Sequence, residues 1–216
     1  PAVLGGASPS AGPGHPMARG AVADALADLA LRRAGTGPGA DGPARRTRVP
    51  FGAAVGLSER DEVVVAEAEA AIAAGASLVV LKVRPGWAER PAAAVRENLP
   101  DVTLAVDGNG SFRIDHLREL VALDRLGLAF VEQPLPADDP VGSARVQAAL
   151  ATPIALDEGV TSLGGLEAAL ALGAGRALTV KPARLGGAAR AEAAMDRCVA
   201  AGWQVHVGGM LESGVG

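Results

Sequence analysis

Tyrosine is absent from these 216 residues, and three Phe and two Trp are the only aromatic side chains. That scarcity excludes the ring platforms on which single-stranded nucleic acids stack, and it leaves Ala, Val and Leu to build the core. Cysteine is nearly missing as well. Cys198 stands alone, which rules out an internal disulfide and suits a reducing compartment. Positive charge is not in excess: 20 Lys and Arg face 24 Asp and Glu, for a net charge of −4. No basic surface for a polyanion is expected. No apolar run reaches the ~18 residues of a membrane span, and no basic-then-apolar signal segment occurs. These absences predict a cytoplasmic protein whose partners include neither nucleic acid nor membrane. A chain that opens on Pro1 and stops at "ESGVG" is expected to be part of a longer protein.

What the chain has is a repeating order of small and apolar residues. Residues 1–14, "PAVLGGASPSAGPG", are Pro- and Gly-rich and read as a loop or frayed end. Residues 15–47 lead into the main domain. Val22, Leu26 and Leu29 recur at spacings of four and three, which predicts a helix over Pro16–Arg33, and 35–47 is a Gly/Pro/Arg loop. From 48 to 216, apolar runs alternate with Ala-rich stretches. The runs are "RVPFGAAVG", "SLVVLKVR", "VTLAVDGN", "LAFVEQP", "PIALDE", "ALTVKP" and "WQVHVGG"; 61–74, 113–126 and 186–201 read as amphipathic helices. Continuous apolar runs mark strands covered on both faces, and their alternation with helices makes βαβ units around a parallel sheet. Seven strands are expected.

The runs end on polar residues at a fixed period. Lys82, Asp107, Glu132, Asp157, Lys181 and His206 are separated by 25, 25, 25, 24 and 25 residues. Such a period marks a repeated unit. The LxxLxL pattern of a leucine-rich repeat is missing, and so is the glycine-rich nucleotide loop of a doubly wound sheet. A barrel that gathers its catalytic groups at the C-terminal strand ends accommodates all six. The expected fold class is α/β, an incomplete TIM-type barrel.

Asp107, Glu132 and Asp157 end adjacent strands and would meet at one mouth, where three unpaired carboxylates repel unless a cation neutralises them. A single acid of this kind is ordinarily a helix cap or an Arg partner; three in register, flanked by lysines, point to a site. All-oxygen ligation selects Mg²⁺ first and Mn²⁺ second. Lys82 and Lys181 come from strands on either side. A lysine near other cations has a lowered pKa and can act as a base. Metal and opposed lysines together suit abstraction of a proton from carbon beside a carboxylate, so a small carboxylate substrate is expected. Arg84 is two residues beyond Lys82 and, on a strand, would share its face. Asn109, two beyond Asp107, either orients the ligand or shapes the "DGNG" turn. Glu212 in "GGMLESG" could reach the mouth. His206 reads as core rather than catalytic, Trp87 and Trp203 as packing residues, and Cys198 as an inert core thiol.

"LKVRPGW", "VDGN", "FVEQPL", "PIALDE", "VKPARLGG" and "GGMLESGVG", in this order and spacing, resemble the enolase superfamily. Within it the chain resembles the muconate-lactonizing subgroup, and most of all the o-succinylbenzoate synthase / N-acylamino acid racemase family. The resemblance covers roughly residues 14–216; "GHPMARGAVADALADLA" is similar to the helix that precedes the barrel strands. It implies a modified (β/α)7β barrel with one Mg²⁺ held by Asp107, Glu132 and Asp157. Lys181 matches the strand-6 lysine, and Lys82 the first lysine of a strand-2 Lys-x-Lys motif. Arg84 stands where the family has its second lysine, the acid/base. A guanidinium stays protonated because its pKa exceeds ~12, so it suits holding a carboxylate better than removing a proton.

The resemblance implies one of two reactions. In the synthases a strand-2 base removes the α-proton of a succinyl-cyclohexadiene carboxylate of menaquinone biosynthesis and then assists loss of hydroxide. In the racemases two lysines exchange a proton on opposite faces of an N-acylamino acid; dipeptide epimerases are related. A third outcome, a metal-binding homologue impaired by Arg84, follows from the replaced base. The family's N-terminal cap and last barrel strand are missing from the sequence, and a homo-oligomer is compatible with it.

Overall fold

The structure, a computed structural model, describes residues 14–37 and 48–210; residues 1–13, most of the 35–47 loop and Glu212 lie outside the described residues. Helix α1 (Pro16–Arg33) comes first. Then follow β1 (Gly52–Val55), α2 (Asp61–Ala73), β2 (Leu78–Lys82), α3 (Glu89–Asn98), β3 (Leu104–Asp107), α4 (Leu117–Ala122) and β4 (Val131–Glu132). The chain continues through α5 (Pro140–Ala149), β5 (Ile154–Leu156), α6 (Leu163–Leu172), β6 (Ala177–Val180), α7 (Pro182–Leu185), α8 (Ala188–Ala200) and β7 (Gln204–Val207). All seven strands pair in parallel, in chain order, in one sheet whose edges are β1 and β7. This is the expected α/β fold, an open and incomplete TIM-type barrel.

The two faces of each strand explain why the runs do not alternate. Val79, Leu81 and Val83 join the large cluster under the helices, together with Leu104, Val106, Val131, Ile154 and Leu178. Their neighbours in sequence form a second, small cluster: Ala105, Phe130, Ala155 and Ala177, with Leu78 and Val80 packed against it. Both faces are apolar, so the pattern is continuous. Side chains two apart on a strand share a face. Asp107 follows Ala105 by two, Glu132 follows Phe130, Asp157 follows Ala155, and Thr179 follows Ala177. The inner row of each strand therefore runs from a small or aromatic filler to a polar group at the C-terminal end.

Two local features differ from the sequence expectation. The stretch 113–126 is not one helix: α4 is flanked by 3₁₀ turns at Ile114–His116 and Leu123–Leu126. Asp124, in the second turn, accepts the backbone N–H groups of Ala151 and Thr152, both at 2.9 Å, and this pull toward the next loop competes with regular helix. Strand β2 stops at Lys82 rather than Arg84. Arg84 and Trp87 exchange both backbone hydrogen bonds across Pro85 and Gly86. With proline second and glycine (φ 73°) third, this is the pattern of a type II turn.

Candidate active site

Inward side chains of β2, β3, β4, β6 and β7 and of the residues that follow them surround one cavity of about 840 Å³, lined by Lys82, Asp107, Glu132, Thr179, Lys181 and His206 among others; Asp157, after β5, is not in its lining. Lys82, Asp107 and Glu132 stand at one level of the sheet, since Lys82 pairs with Asp107 and Asp107 with Glu132 in the ladders. The Lys82 ammonium donates to Asp107 Oδ2 at 2.5 Å and to Asn109 Oδ1 at 2.8 Å. Asn109 (φ 42°) also donates its backbone N–H to Asp107 Oδ1 at 2.8 Å and its amide to Glu158 Oε1 at 3.3 Å. It therefore shapes the turn and orients Lys82 at once.

On the other side, Lys181 Nζ donates to Asp157 Oδ2 at 2.6 Å, and the Arg184 guanidinium binds Asp157 Oδ1. Glu132 lies between these groups without a lysine of its own. Its Oε1 accepts from the Thr179 hydroxyl at 2.9 Å. Asp107, Glu132 and Asp157 are all buried. Burial, and then the negative charge of Asp107, push the Glu132 carboxyl up to about 7; the Thr179 hydrogen bond opposes the rise, Asp157 adds to it, and Lys181 opposes it. Burial likewise holds His206 below the ordinary histidine value.

The donor set suits a hard divalent cation. It offers only oxygen donors, it is short of positive charge at Glu132, and beside it Glu158 Oε2 is buried without a hydrogen-bond partner. As arranged here, no three His, Cys, Asp or Glu side chains among the described residues stand close enough to hold one. Asp107 and Asp157 are each turned onto a lysine instead.

Arg84 is placed differently from Lys82. Its half-exposed guanidinium lies 3.5 Å from Glu59, on the loop after β1. Lys82 alone of the two cations reaches the carboxylates. Trp203 packs against the core, Cys198 is buried, and Trp87 lies under the Arg90 guanidinium at 4.8 Å.

Four residues at the site escaped sequence reasoning. Gln133, buried and at φ 30°, accepts the N–H groups of Asp157 (2.8 Å) and Gly159 (3.0 Å) and donates to Leu135 O (2.8 Å), so it ties the loop after β4 to the loop after β5. Its only signal is its position between Glu132 and Pro134. Arg184 is three beyond Lys181, one helical turn away. Thr179 is two before Lys181 on the inner row. Glu158 directly follows Asp157.

Residues 63–216 match the family described as "Enolase C-terminal domain-like". The chain belongs to that family. This enolase-type chain is 37% identical over 203 residues to the N-succinylamino acid racemase of Thermus thermophilus, covering 94% of its own length and 55% of the relative's. It is also 37% identical over 204 residues to the o-succinylbenzoate synthase of Enterococcus faecalis, with the same coverage. Among solved structures, a probable mandelate racemase from Alicyclobacillus acidocaldarius superposes with a TM-score of 0.88 at 39% identity, over 95% of this chain and 54% of that one. The chain thus spans about half the length of the curated relatives it matches. Among the described residues, no helix is long and apolar enough to cross a membrane.

Proposed function

We propose that this chain supplies the metal-holding and proton-transferring groups of an o-succinylbenzoate synthase-like lyase, a cytoplasmic enzyme of menaquinone biosynthesis that dehydrates its substrate through an enediolate. One observation carries the reading: lysines from β2 and β6 each contact an end member of a buried carboxylate row built by β3, β4 and β5. Asp107, Glu132 and Asp157 would hold Mg²⁺, with Mn²⁺ as the alternative. When bound, the ion supplies positive charge where a substrate carboxylate gains electron density. Lys82, at the end of its strand and inside the cavity, takes the α-proton as the neutral amine, after its ammonium has released a proton to solvent. Arg84, held at the rim by Glu59, is not required as a base. The alternative, a metal-binding homologue impaired because Arg84 stands in place of the strand-2 base, predicts Mg²⁺ binding with neither activity. Asn109 fixes the Lys82 ammonium, and Lys181 faces the site from the far side of the row. The partner is a small carboxylate substrate, not nucleic acid or membrane, and self-association is compatible with the fold.

A second reading is supported by the racemase name of the Thermus relative and by the same lysine pair. Two amines on opposite sides of a bound carbon acid can exchange its proton on either face. The test is an assay of the full-length protein with Mg²⁺, following dehydration of the cyclohexadiene substrate and α-proton exchange of N-acylamino acids in deuterated water. Dehydration without exchange supports the lyase. Exchange of both enantiomers supports the racemase. Asp107→Asn should abolish either activity, and retained turnover would overturn the assignment of the carboxylates.

A further inference from the structure

Thr179 on β6 and His206 on β7 are directly opposite one another in the sheet ladder. The hydroxyl oxygen of Thr179, a residue only 5% exposed, lies 2.9 Å from Glu132 Oε1 and 2.8 Å from His206 Nε2. A hydroxyl has one proton to donate. With that proton given to Glu132, the oxygen must accept from His206, and the imidazole carries hydrogen on Nε2. The ring is also fixed in its plane: Phe130, two residues before Glu132, stacks on it at 4.7 Å and 16°. The contacts form a one-way chain from His206 to Thr179 to Glu132.

Space for the chain is kept on β7's far end. A Cβ at Gly208 would stand 2.6 Å from Thr179 Cγ2, so any side chain there would displace the threonine. Glu132 is the one carboxylate of the row without a lysine or arginine partner within salt-bridge distance, and its Oε2 lies 3.9 Å from His206 Nε2. Left alone, such a side chain has two equivalent oxygens and no fixed orientation.

We propose that Thr179 and His206 are a positioning pair for Glu132, occupying Oε1 so that Oε2 is the oxygen presented to the divalent cation. The inference rests on the metal-site reading above. Hydrogen bonds of this kind to ligating carboxylates are worth about 10–100-fold in metal affinity. Neither residue needs to touch the substrate.

Calorimetric titration of Mg²⁺ into the full-length protein tests the pair without any turnover. Thr179→Val should weaken binding about 10–100-fold, whereas Thr179→Ser, which restores the hydroxyl, should bind about as the wild type does. His206→Phe keeps the ring stack but loses the N–H donor, and should weaken binding several-fold. The double variant should be no weaker than Thr179→Val alone, because the histidine acts only through the hydroxyl. Wild-type affinity in Thr179→Val, or an additive double variant, overturns the inference. If Thr179→Val does not fold, His206→Phe decides, and unchanged affinity overturns it. Wild-type protein that binds no Mg²⁺ brings down the metal-site reading and this pair with it. Tight wild-type binding with indifferent variants brings down only the pair.

Discussion

At the scale of single residues, the site depends on what is small as much as on what is charged. Gly208 leaves no room for a methyl group: its Cβ would meet Thr179 Cγ2 at 2.6 Å and Lys181 Cε at 2.9 Å. The lysine end can bend away, but the β-branched threonine is held by its ladder and cannot. Gly208→Ala should therefore misplace both groups and lower kcat by about 10–100-fold, the size of effect expected for a displacement near 1 Å. Gly209→Ala, where a Cβ meets nothing within 4 Å, should leave kcat unchanged and serves as the control. Steady-state kinetics of the two variants check this, and an active Gly208→Ala enzyme would count against the placement of Lys181. The charged residues here were readable because strand ends recur at a fixed period. Gln133, Thr179 and Arg184 were not, because each acts through a hydrogen bond or ion pair that depends on the register of another strand. Arg84 shows the reverse case. Its spacing from Lys82 implied a shared face, but Pro85 and Gly86 turn the chain at Arg84, and the guanidinium ends on Glu59.

At the scale of elements, the two ends of the barrel carry different work. The C-terminal end holds the charged row with the loops that leave the strands, and the opposite end holds the loops that lead into them. There the Arg96 guanidinium, from α3, donates to four backbone carbonyls: Leu126 (3.0 Å), Pro100 (2.8 Å), Val102 (2.8 Å) and Gly127 (3.2 Å). It fastens the α3–β3 loop to the α4–β4 loop. Arg96→Ala leaves those acceptors without their planar donor and should cost about 2–4 kcal/mol, lowering Tm by several degrees. Arg96→Lys should recover little, since one ammonium cannot reproduce the fork. Mg²⁺ affinity should be unaffected, because residues at this end of a barrel serve stability. Thermal melts alongside metal titrations check the separation; a variant that melts normally would show the clamp to be dispensable. The helices and strands were legible in apolar spacing, and α1 matches its expected Pro16–Arg33 span. The broken helix around α4 was not legible, because Asp124 takes its partners from a loop 27 residues further along the chain.

At the scale of the whole molecule, the barrel buries a row of carboxylates at its mouth, and stability should respond to pH accordingly. The period of about 25 residues was sufficient to predict parallel order and convergence, but not that Asp107 and Asp157 would each take a lysine and leave Glu132 without one. In the metal-free protein the Glu132 carboxyl stands at about 7, against an ordinary 4.5, chiefly through burial and then through Asp107. A carboxyl raised in the native state binds its proton more tightly there than in the unfolded chain. Its contribution to stability is full below about 4.5 and is lost as pH rises through about 7. His206, lowered by burial, works in the opposite sense but only below its ordinary value of 6.5. Between about pH 6.5 and 8, then, the histidine's opposing effect is nearly spent and the Glu132 effect is the larger within this cluster. Metal-free protein in chelator should melt at a lower temperature at pH 8 than at pH 6.5, and Glu132→Gln should flatten that difference. Added Mg²⁺ binds only the native state and competes with the Glu132 proton, so its stabilisation should be larger at the higher pH. Melting curves of wild type and Glu132→Gln at both pH values, with and without Mg²⁺, measure all of these terms. A wild-type profile that rises with pH in chelator, or one that Glu132→Gln leaves unchanged, would show that the carboxylate row is not short of positive charge, and the case for a cation there would lose its electrostatic basis.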